Sequence, residues 1–448
     1  MRRLLWLGLA LLTGLAVFLV SPPANAAAGF TVSGTQLVDA NGNPFVMRGV
    51  SHAHVWYQSR TQQALADIKA LGANSVRIVL GSGQRWGPTP AAEVTTVINQ
   101  CKANRLICVL EAHDTTGYGE QAGAATLDQA VDYWISVKSA LAGQERYVIL
   151  NIGNEPYGNT NATGWTAATK NAIARLRAAG FEHSIMVDAP NWGQDWQFVM
   201  RDNAASVLAA DPQRNTIFSI HMYGVFDTAA EITDYLGRFR SAGLPVVVGE
   251  FGFDHSDGNP DEDTIMATAQ RLGIGYLGWS WSGNGGGVEY LDMVTGFDAT
   301  QLTSWGDRIF NGADGIKATS REASVFGGGP GTPPPASPSN PPPASPSNPP
   351  PAGVCSAAVS VNAWNGGFVA TVRVTAGAAA LRAWAVSVTL PAGAAVTSTW
   401  NAQATGATGA VRFANVSYNG TLGAGGSTEF GFQGTGPAPG GTASCAAG

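Results

Sequence analysis

Charged side chains are scarce in this sequence: Asp, Glu, Lys and Arg make up 12% of its 448 residues, where a soluble protein usually carries about 25%. Highly charged disorder is therefore disfavoured over most of the chain. The formal net charge is −6, and no long Lys/Arg run is present to track a phosphate backbone, which argues against a nucleic-acid partner. Cysteine is sparse too. There are four, two on each side of a proline-rich stretch, and neither pair has the spacing of zinc ligands. Long apolar runs are limited to residues 4–20, and no later segment is long and apolar enough to span a bilayer. Proline alone is concentrated, with 12 of 25 between positions 327 and 353.

Arg2 and Arg3 precede the apolar run, and Ala24-Asn25-Ala26 supplies small residues suited to signal-peptidase cleavage. The expectation is a secretory signal over residues 1–26, with an uncleaved membrane anchor as the alternative. The mature chain is then a secreted, extracellular protein, expected to be a monomer with no membrane partner. Export permits disulfides. Cys355 and Cys445, near the two ends of the C-terminal region, are expected to pair. Cys101 and Cys108 straddle a predicted helix-to-strand turn and either pair or stay as buried thiols.

The proline-rich stretch repeats Pro-Pro-Pro-Ala-Ser-Pro-Ser-Asn at 333–340 and 341–348. Such sequence builds no core and reads as an extended polyproline II tether over residues 327–353. It divides a large region, 27–326, from a small one, 354–448.

In the large region eight β-rich apolar runs, at 45–54, 74–80, 106–114, 147–156, 183–190, 216–224, 245–252 and 273–282, alternate with amphipathic helical stretches. Eight such units predict an α/β fold, a (β/α)8 TIM barrel, with an open doubly wound sheet as the alternative. In a barrel the C-terminal strand ends share one open face. Two of those ends carry a glutamate in otherwise apolar sequence, Glu155 on the fourth strand and Glu250 on the seventh. Such a pair is what cleavage of a glycosidic bond with retention requires: one carboxyl protonates the leaving oxygen while the other attacks the anomeric carbon. Arg77 and Tyr223 are placed to hold Glu250 as an anion, and a less polar surrounding would keep Glu155 protonated. For either glutamate alone, a strand-end salt bridge is the competing explanation.

The set Arg77, His113, Asn154-Glu155, His221-x-Tyr223, Glu250 and Trp279 resembles the active-site residues of glycoside hydrolase family 5, over nearly the whole large region. The resemblance implies that Glu155 is the acid/base and Glu250 the nucleophile. It also implies that Asn154 holds the sugar 2-hydroxyl, Tyr223 and Arg77 orient Glu250, His221 sits beside Glu155, and His113 and Trp279 line the subsite of the ring being cleaved. The strings at 50–54, 111–119, 247–252 and 278–284 look like the bacterial β-1,4-mannanase subfamily. That likeness implies endo-β-1,4-mannanase action on mannan, galactomannan or glucomannan without a required cofactor. A β-1,4-glucanase is the second reading. A polysaccharide-binding protein whose barrel has lost catalysis is the third, and retention of both glutamates speaks against it.

Trp56, Trp86, Trp192, Trp196 and Trp281 fall in or beside strand-end loops and are candidates for stacking on flanking sugars. Trp281 shares strand parity with Trp279 if the strand continues. His52 and His54 also share parity, but no third ligand follows at a metal-site spacing. Asp254, Asp257, Asp261, Glu262 and Asp263 crowd ten residues after the seventh strand. They are candidates for a structural Ca²⁺ site, the competing account being a helix N-terminus that attracts negative charge.

From residue 354 onward only Arg373, Arg382, Arg412 and Glu429 are charged. Short alternating Val, Thr and Ala runs between Gly, Asn and Pro predict an all-β sandwich. With one carboxylic side chain it has no acid/base pair, so it reads as a binding module. This segment resembles a family 2 carbohydrate-binding module, through its terminal cysteines and the motifs at 363–368, 400–402, 415–420 and 430–434. The likeness implies a cellulose surface as partner, contacted by Trp364, Trp400 and Tyr418, with Trp384 buried. The final strand before Cys445 looks shortened.

Overall fold

A computed structural model describes residues 29–327, 355–364, 366–416, 419–440 and 443–447. The secretory signal, the proline-rich tether and Tyr418 lie outside the described residues. The chain divides into two compact units, treated separately below.

Eight parallel strands of the first unit close into a barrel. They are β1 (Arg48–His52), β2 (Ser75–Leu80), β3 (Ile107–Ala112), β4 (Val148–Asn151), β5 (Ile185–Asp188), β6 (Thr216–Met222), β7 (Val246–Phe251) and β8 (Gly275–Gly278). Each falls inside one of the eight runs anticipated from sequence. Between and after them come α1 (Thr61–Ala70), α2 (Ala91–Ala103), α3 (Leu127–Ser136), α4 (Trp165–Ala178), α5 (Val199–Ala210), α6 (Ala229–Ser241), α7 (Glu262–Leu272) and α8 (Ser304–Asn311). The barrel is closed between β6 and β7 and between β8 and β1, which removes the open-sheet alternative.

Strand parity divides the core in two. Ile107, Val109, Ile149, Met186, Ile217 and Val247 pack inside the lower barrel with Phe30 and with Phe45 from a small antiparallel sheet that precedes β1. Their neighbours Cys108, Leu110, Leu150, Val187, Phe218, Ile220 and Val248 face the helices. Side chains alternate with period two. The inward row therefore continues upward to Glu111 on β3, Asn151 on β4, Asp188 on β5 and His221 on β6. Arg77 lies on the inward row of β2, between Val76 and Ile78 of the outer layer. On β7 the register against β6 shifts between Val248 and Glu250. This irregularity turns Glu250 into the mouth, where strict alternation from Val247 would have turned it out.

The second unit is a sandwich of two antiparallel sheets. The first has the order β9 (Cys355–Trp364), β10 (Gly367–Ala376), β15 (Ser427–Thr435) and β12 (Ala395–Trp400). The second runs β13 (Ala402–Thr405), β14 (Ala410–Asn415), β11 (Trp384–Thr389) and β16 (Ala443–Ala447). Trp384, Phe413, Phe430 and Phe432 stack between the sheets, and the buried Trp384 indole donates to the Asn419 carbonyl at 2.8 Å. A disulfide joins Cys355 to Cys445. The last strand is not lost, because β16 pairs with β11 along its five residues and completes its sheet.

The other two cysteines do not pair. Cys101 and Cys108 remain buried thiols, with Sγ atoms 3.0 Å apart. Burial pushes the Cys108 thiol well above its ordinary range, and thiol oxidation needs the thiolate.

Candidate active site

Arg77 is the hub of the barrel mouth. Its fully buried guanidinium donates to Asn151 Oδ1 (3.0 Å), Asn154 Oδ1 (2.7 Å), Asp188 Oδ2 (3.1 Å) and Glu250 Oε1 (2.6 Å). Burial alone would weaken its charge, but Glu111, Glu250 and Asp188 around it more than reverse that and raise its pKa. Glu250 receives a second donor, the Tyr223 hydroxyl, at 2.9 Å on Oε2. Both of its oxygens are thus oriented by hydrogen bonds.

Glu155 has the opposite environment. It follows Asn154 beyond the end of β4 with a φ of +40°, a left-handed conformation that costs a non-glycine residue about 1 kcal/mol. The Gly117 N–H donates to the Glu155 carbonyl at 3.0 Å and helps hold that turn. Burial raises the Glu155 pKa; the adjacent His221 works in the other direction, and the charge of Glu250 raises it again. One carboxylate oxygen of Glu155, one of Glu250 and a ring nitrogen of His221 all lie within 4.8 Å of one another.

His221 Nδ1 is 2.8 Å from Glu155 Oε1, and Nε2 is 3.2 Å from Asp188 Oδ2 in an ion-pair contact too bent for a good hydrogen bond. Burial lowers its pKa, but Glu250 and Asp188 override that and bring it to about 10. Asp188 is held at about 2: burial opposes its charge, and His221 and Arg77 outweigh the burial. Gly193 lets the next loop pass over the imidazole, since a Cβ there would lie 2.6 Å from the ring. Its carbonyl accepts the His221 N–H at 2.9 Å.

Two aromatic surfaces flank the carboxylates. On one side the His113 ring stacks on Trp279 with centroids 5.7 Å apart, while Trp56 and Trp86 meet His113 at 5.3 Å each. His113 Nδ1 is 2.9 Å from Glu111 Oε1, and Asp114 Oδ2 accepts the Trp86 backbone N–H at 3.2 Å. On the other side a cavity of about 500 Å³ opens beside Glu155 and Tyr223, bounded by Trp192, Trp196, Gln194 and Asp257.

Of the residues expected at the site, Arg77, His113, Asn154, Glu155, His221, Tyr223, Glu250 and Trp279 are brought together. Trp281 is not. β8 ends at Gly278, so parity no longer applies two residues later. Trp281 is fully buried and packs edge-on against Phe310. His52 and His54 converge on the Thr61 hydroxyl, at 2.9 and 2.7 Å.

The five carboxylates proposed for Ca²⁺ are dispersed. Asp261 caps α7 by accepting the Thr264 N–H, Asp263 pairs with Arg308 at 2.6 Å, and Asp257 accepts from Gln194 and the Gly224 N–H. Among the described residues the only cluster with metal-ligand geometry is Glu155, His221 and Glu250, where Arg77 already supplies a fixed cation. In the second unit Trp400 is 41% exposed at the end of the edge strand β12, its ring lying over Gly431.

Residues 38–285 match the family model of cellulase, glycosyl hydrolase family 5. The chain belongs to this family. Residues 355–447 match the model of the cellulose binding domain. The mannan endo-1,4-beta-mannosidase of Streptomyces lividans is 65% identical over 71% of this chain and 84% of its own length. The enzyme of the same name from Cellvibrio japonicus is 55% identical over 71% and 73%. Among solved structures, the beta-mannanase from Thermomonospora fusca is 63% identical and covers 67% of this chain and 99% of its own, with a TM-score of 0.66.

Membership of the family leaves some of the machinery to be read from the structure. Sequence assigns no role to Asp188, Glu111 or Asn151, yet each contacts Arg77, His221 or His113. Their signal was available: each is a polar residue on the inward parity of an otherwise apolar strand. Glu120, His255 and Asp257, on the mouth loops, carry no such periodic mark.

Proposed function

We propose that this chain is a retaining endo-β-1,4-mannosidase, with Glu250 as nucleophile and Glu155 as acid/base. The observation that carries the chemistry is the carboxylate pair, with oxygens within 4.8 Å in opposed environments. A retaining glycosidase needs its two carboxyl groups about 5 to 5.5 Å apart, too close for an interposed water. In the first step Glu250 attacks the anomeric carbon while Glu155 passes its proton to the departing glycosidic oxygen. In the second, Glu155 takes a proton from water, which attacks the glycosyl ester and frees Glu250.

The charge of Glu250 is one reason why Glu155 holds its proton. Esterification removes that charge, so Glu155 becomes a stronger acid at the moment when it must serve as base. In the free enzyme His221 is positively charged and balances Asp188. Asn154, its Oδ1 occupied by Arg77 and its Nδ2 2.9 Å from Thr116 Oγ1, is fixed where the 2-hydroxyl would lie. His113 and Trp279 supply the face of the ring being cleaved.

Mannan as substrate is supported by the names of the relatives above. An endo mode fits aromatic surfaces on both sides of the carboxylates. The C-terminal unit is the anchor to cellulose, and the N-terminal signal makes the enzyme extracellular. The decisive measurement is reducing-sugar release from galactomannan and from carboxymethylcellulose. Release from the first establishes the reading, and release from the second alone replaces it with a β-1,4-glucanase.

A further inference from the structure

We propose that Glu120 is a positioning residue for the sugar on the leaving-group side of the scissile bond, acting by fixing the indole of Trp192. The inference rests on the reading above, with Glu155 as the acid. The cavity has Glu155 and Tyr223 in its lining but not Glu250 or Trp279. It therefore lies on the side toward which the acid faces, away from the anomeric carbon. A sugar there needs a flat apolar face, and Trp192 with Trp196 supplies one. A half-buried indole on a loop makes a good platform only if its orientation is fixed in advance; otherwise binding must also order it.

One carboxylate fixes it. Glu120 Oε2 accepts the Trp192 indole N–H at 2.9 Å, and Oε1 accepts the Thr160 backbone N–H at 2.6 Å. Glu120 belongs to the loop after β3, Thr160 to the loop after β4 and Trp192 to the loop after β5, so three successive loops of the mouth are tied at one group. Glycine makes the approach possible. A Cβ on Gly158 would lie 2.4 Å from the Glu120 carboxyl carbon, and one on Gly117, whose φ is +67°, would lie 2.3 Å from the Trp192 ring.

The assembly is referenced to the acid itself. The Gly117 backbone N–H donates to the Glu155 carbonyl at 3.0 Å, and the Trp192 backbone N–H to the Tyr157 carbonyl at 3.2 Å. The hydrogen bond from Trp192, with that from Thr160, holds the Glu120 carboxyl below its ordinary range. Glu120 is exposed, and polar contacts of an exposed carboxylate contribute little to global stability. Its effect is on the orientation of the platform.

The test uses the full chain as wild type, Glu120→Ala, Trp192→Phe and the double variant. Each is assayed on mannohexaose and on β-mannobiosyl fluoride, whose single-atom leaving group leaves the cavity empty. Glu120→Ala is expected to lower kcat/KM on mannohexaose roughly tenfold, chiefly through KM, and at least about fivefold more than on the fluoride. Trp192→Phe keeps a ring but loses the N–H, and should give a similar selective loss. The double variant should be no worse than the poorer single, because both remove one interaction.

Equal losses on the two substrates, or losses that multiply in the double variant, would overturn the proposal. So would a loss that tracks a fall in melting temperature across the four proteins. If the wild type cleaves cello-oligosaccharides instead, the mannan assignment fails. The same comparison with cellohexaose and β-cellobiosyl fluoride then still tests Glu120.

Discussion

His221 Nδ1 lies 2.8 Å from Glu155 Oε1 while its other ring nitrogen faces Asp188 Oδ2 at 3.2 Å. The buried imidazole is charged at neutral pH, with a pKa of about 10, and its charge pulls the Glu155 pKa down against the burial that raises it. Replacing His221 with Ala should therefore let Glu155 keep its proton to higher pH. The alkaline limb of the kcat/KM profile is expected to move upward, with kcat at the optimum falling roughly 10- to 100-fold. A pH–rate profile of the variant decides it, and an unmoved alkaline limb would refute the coupling.

The two carboxylates should fail differently. On the proposed mechanism Glu250→Ala removes the nucleophile and should cost roughly 10³- to 10⁵-fold on every β-mannoside. Glu155→Ala should cost as much on mannan but far less for the first step on substrates whose leaving group needs no proton, so a pre-steady-state burst is expected with a dinitrophenyl glycoside. Stopped-flow release of the phenolate separates the two roles.

Arg77 holds Glu250, Asp188, Asn151 and Asn154 at once with no exposed surface. Arg77→Ala leaves buried carboxylates without their cation and should destabilise the barrel by about 3–5 kcal/mol in addition to abolishing activity. Arg77→Lys cannot reach all four acceptors from one ammonium and should also be inactive, with a smaller loss of stability. Calorimetry beside activity assays measures both.

Acid should destabilise the barrel through its buried histidines. Burial, with His54 nearby, lowers the His52 pKa to about 3, and burial lowers that of His183 to about 4, against about 6.5 in the unfolded chain. The folded state binds these protons less readily than the unfolded one. Their contribution to stability is therefore complete above pH 6.5 and is lost as pH falls from 6.5 toward 3. Denaturant midpoints between pH 7 and 4 should fall, and His52→Gln should flatten part of that slope.

The C-terminal unit should be separable in function. Trp400→Ala is expected to abolish retention on microcrystalline cellulose while leaving hydrolysis of soluble manno-oligosaccharides unchanged. Reduction of Cys355–Cys445, which closes a loop with a sequence separation of 90, should destabilise this unit by about 2–5 kcal/mol. Depletion assays under oxidising and reducing conditions read both effects.

Local pattern by itself determined the eight strands, the sandwich and the inward parity that lifts Arg77, His221, Glu111, Asn151 and Asp188 to the mouth. Periodicity is a property of consecutive residues, and each of these sits on a regular strand. Strand-end position paired Glu155 with Glu250, and resemblance supplied which is acid/base and which is nucleophile. Tertiary structure decided what no period encodes. The register shift between Val248 and Glu250 turns the seventh-strand glutamate inward, where alternation alone would turn it out. The end of β8 at Gly278 sends Trp281 into the core, although it shares parity with Trp279. Cys101 and Cys108 come together yet stay as thiols, and Asp257, Asp261 and Asp263 go to separate caps and pairs. Glu120 and Trp192 meet only because loops 72 positions apart close over the same barrel mouth. Contacts between loops depend on closure of the whole barrel, and closure is a global property that no window of sequence contains.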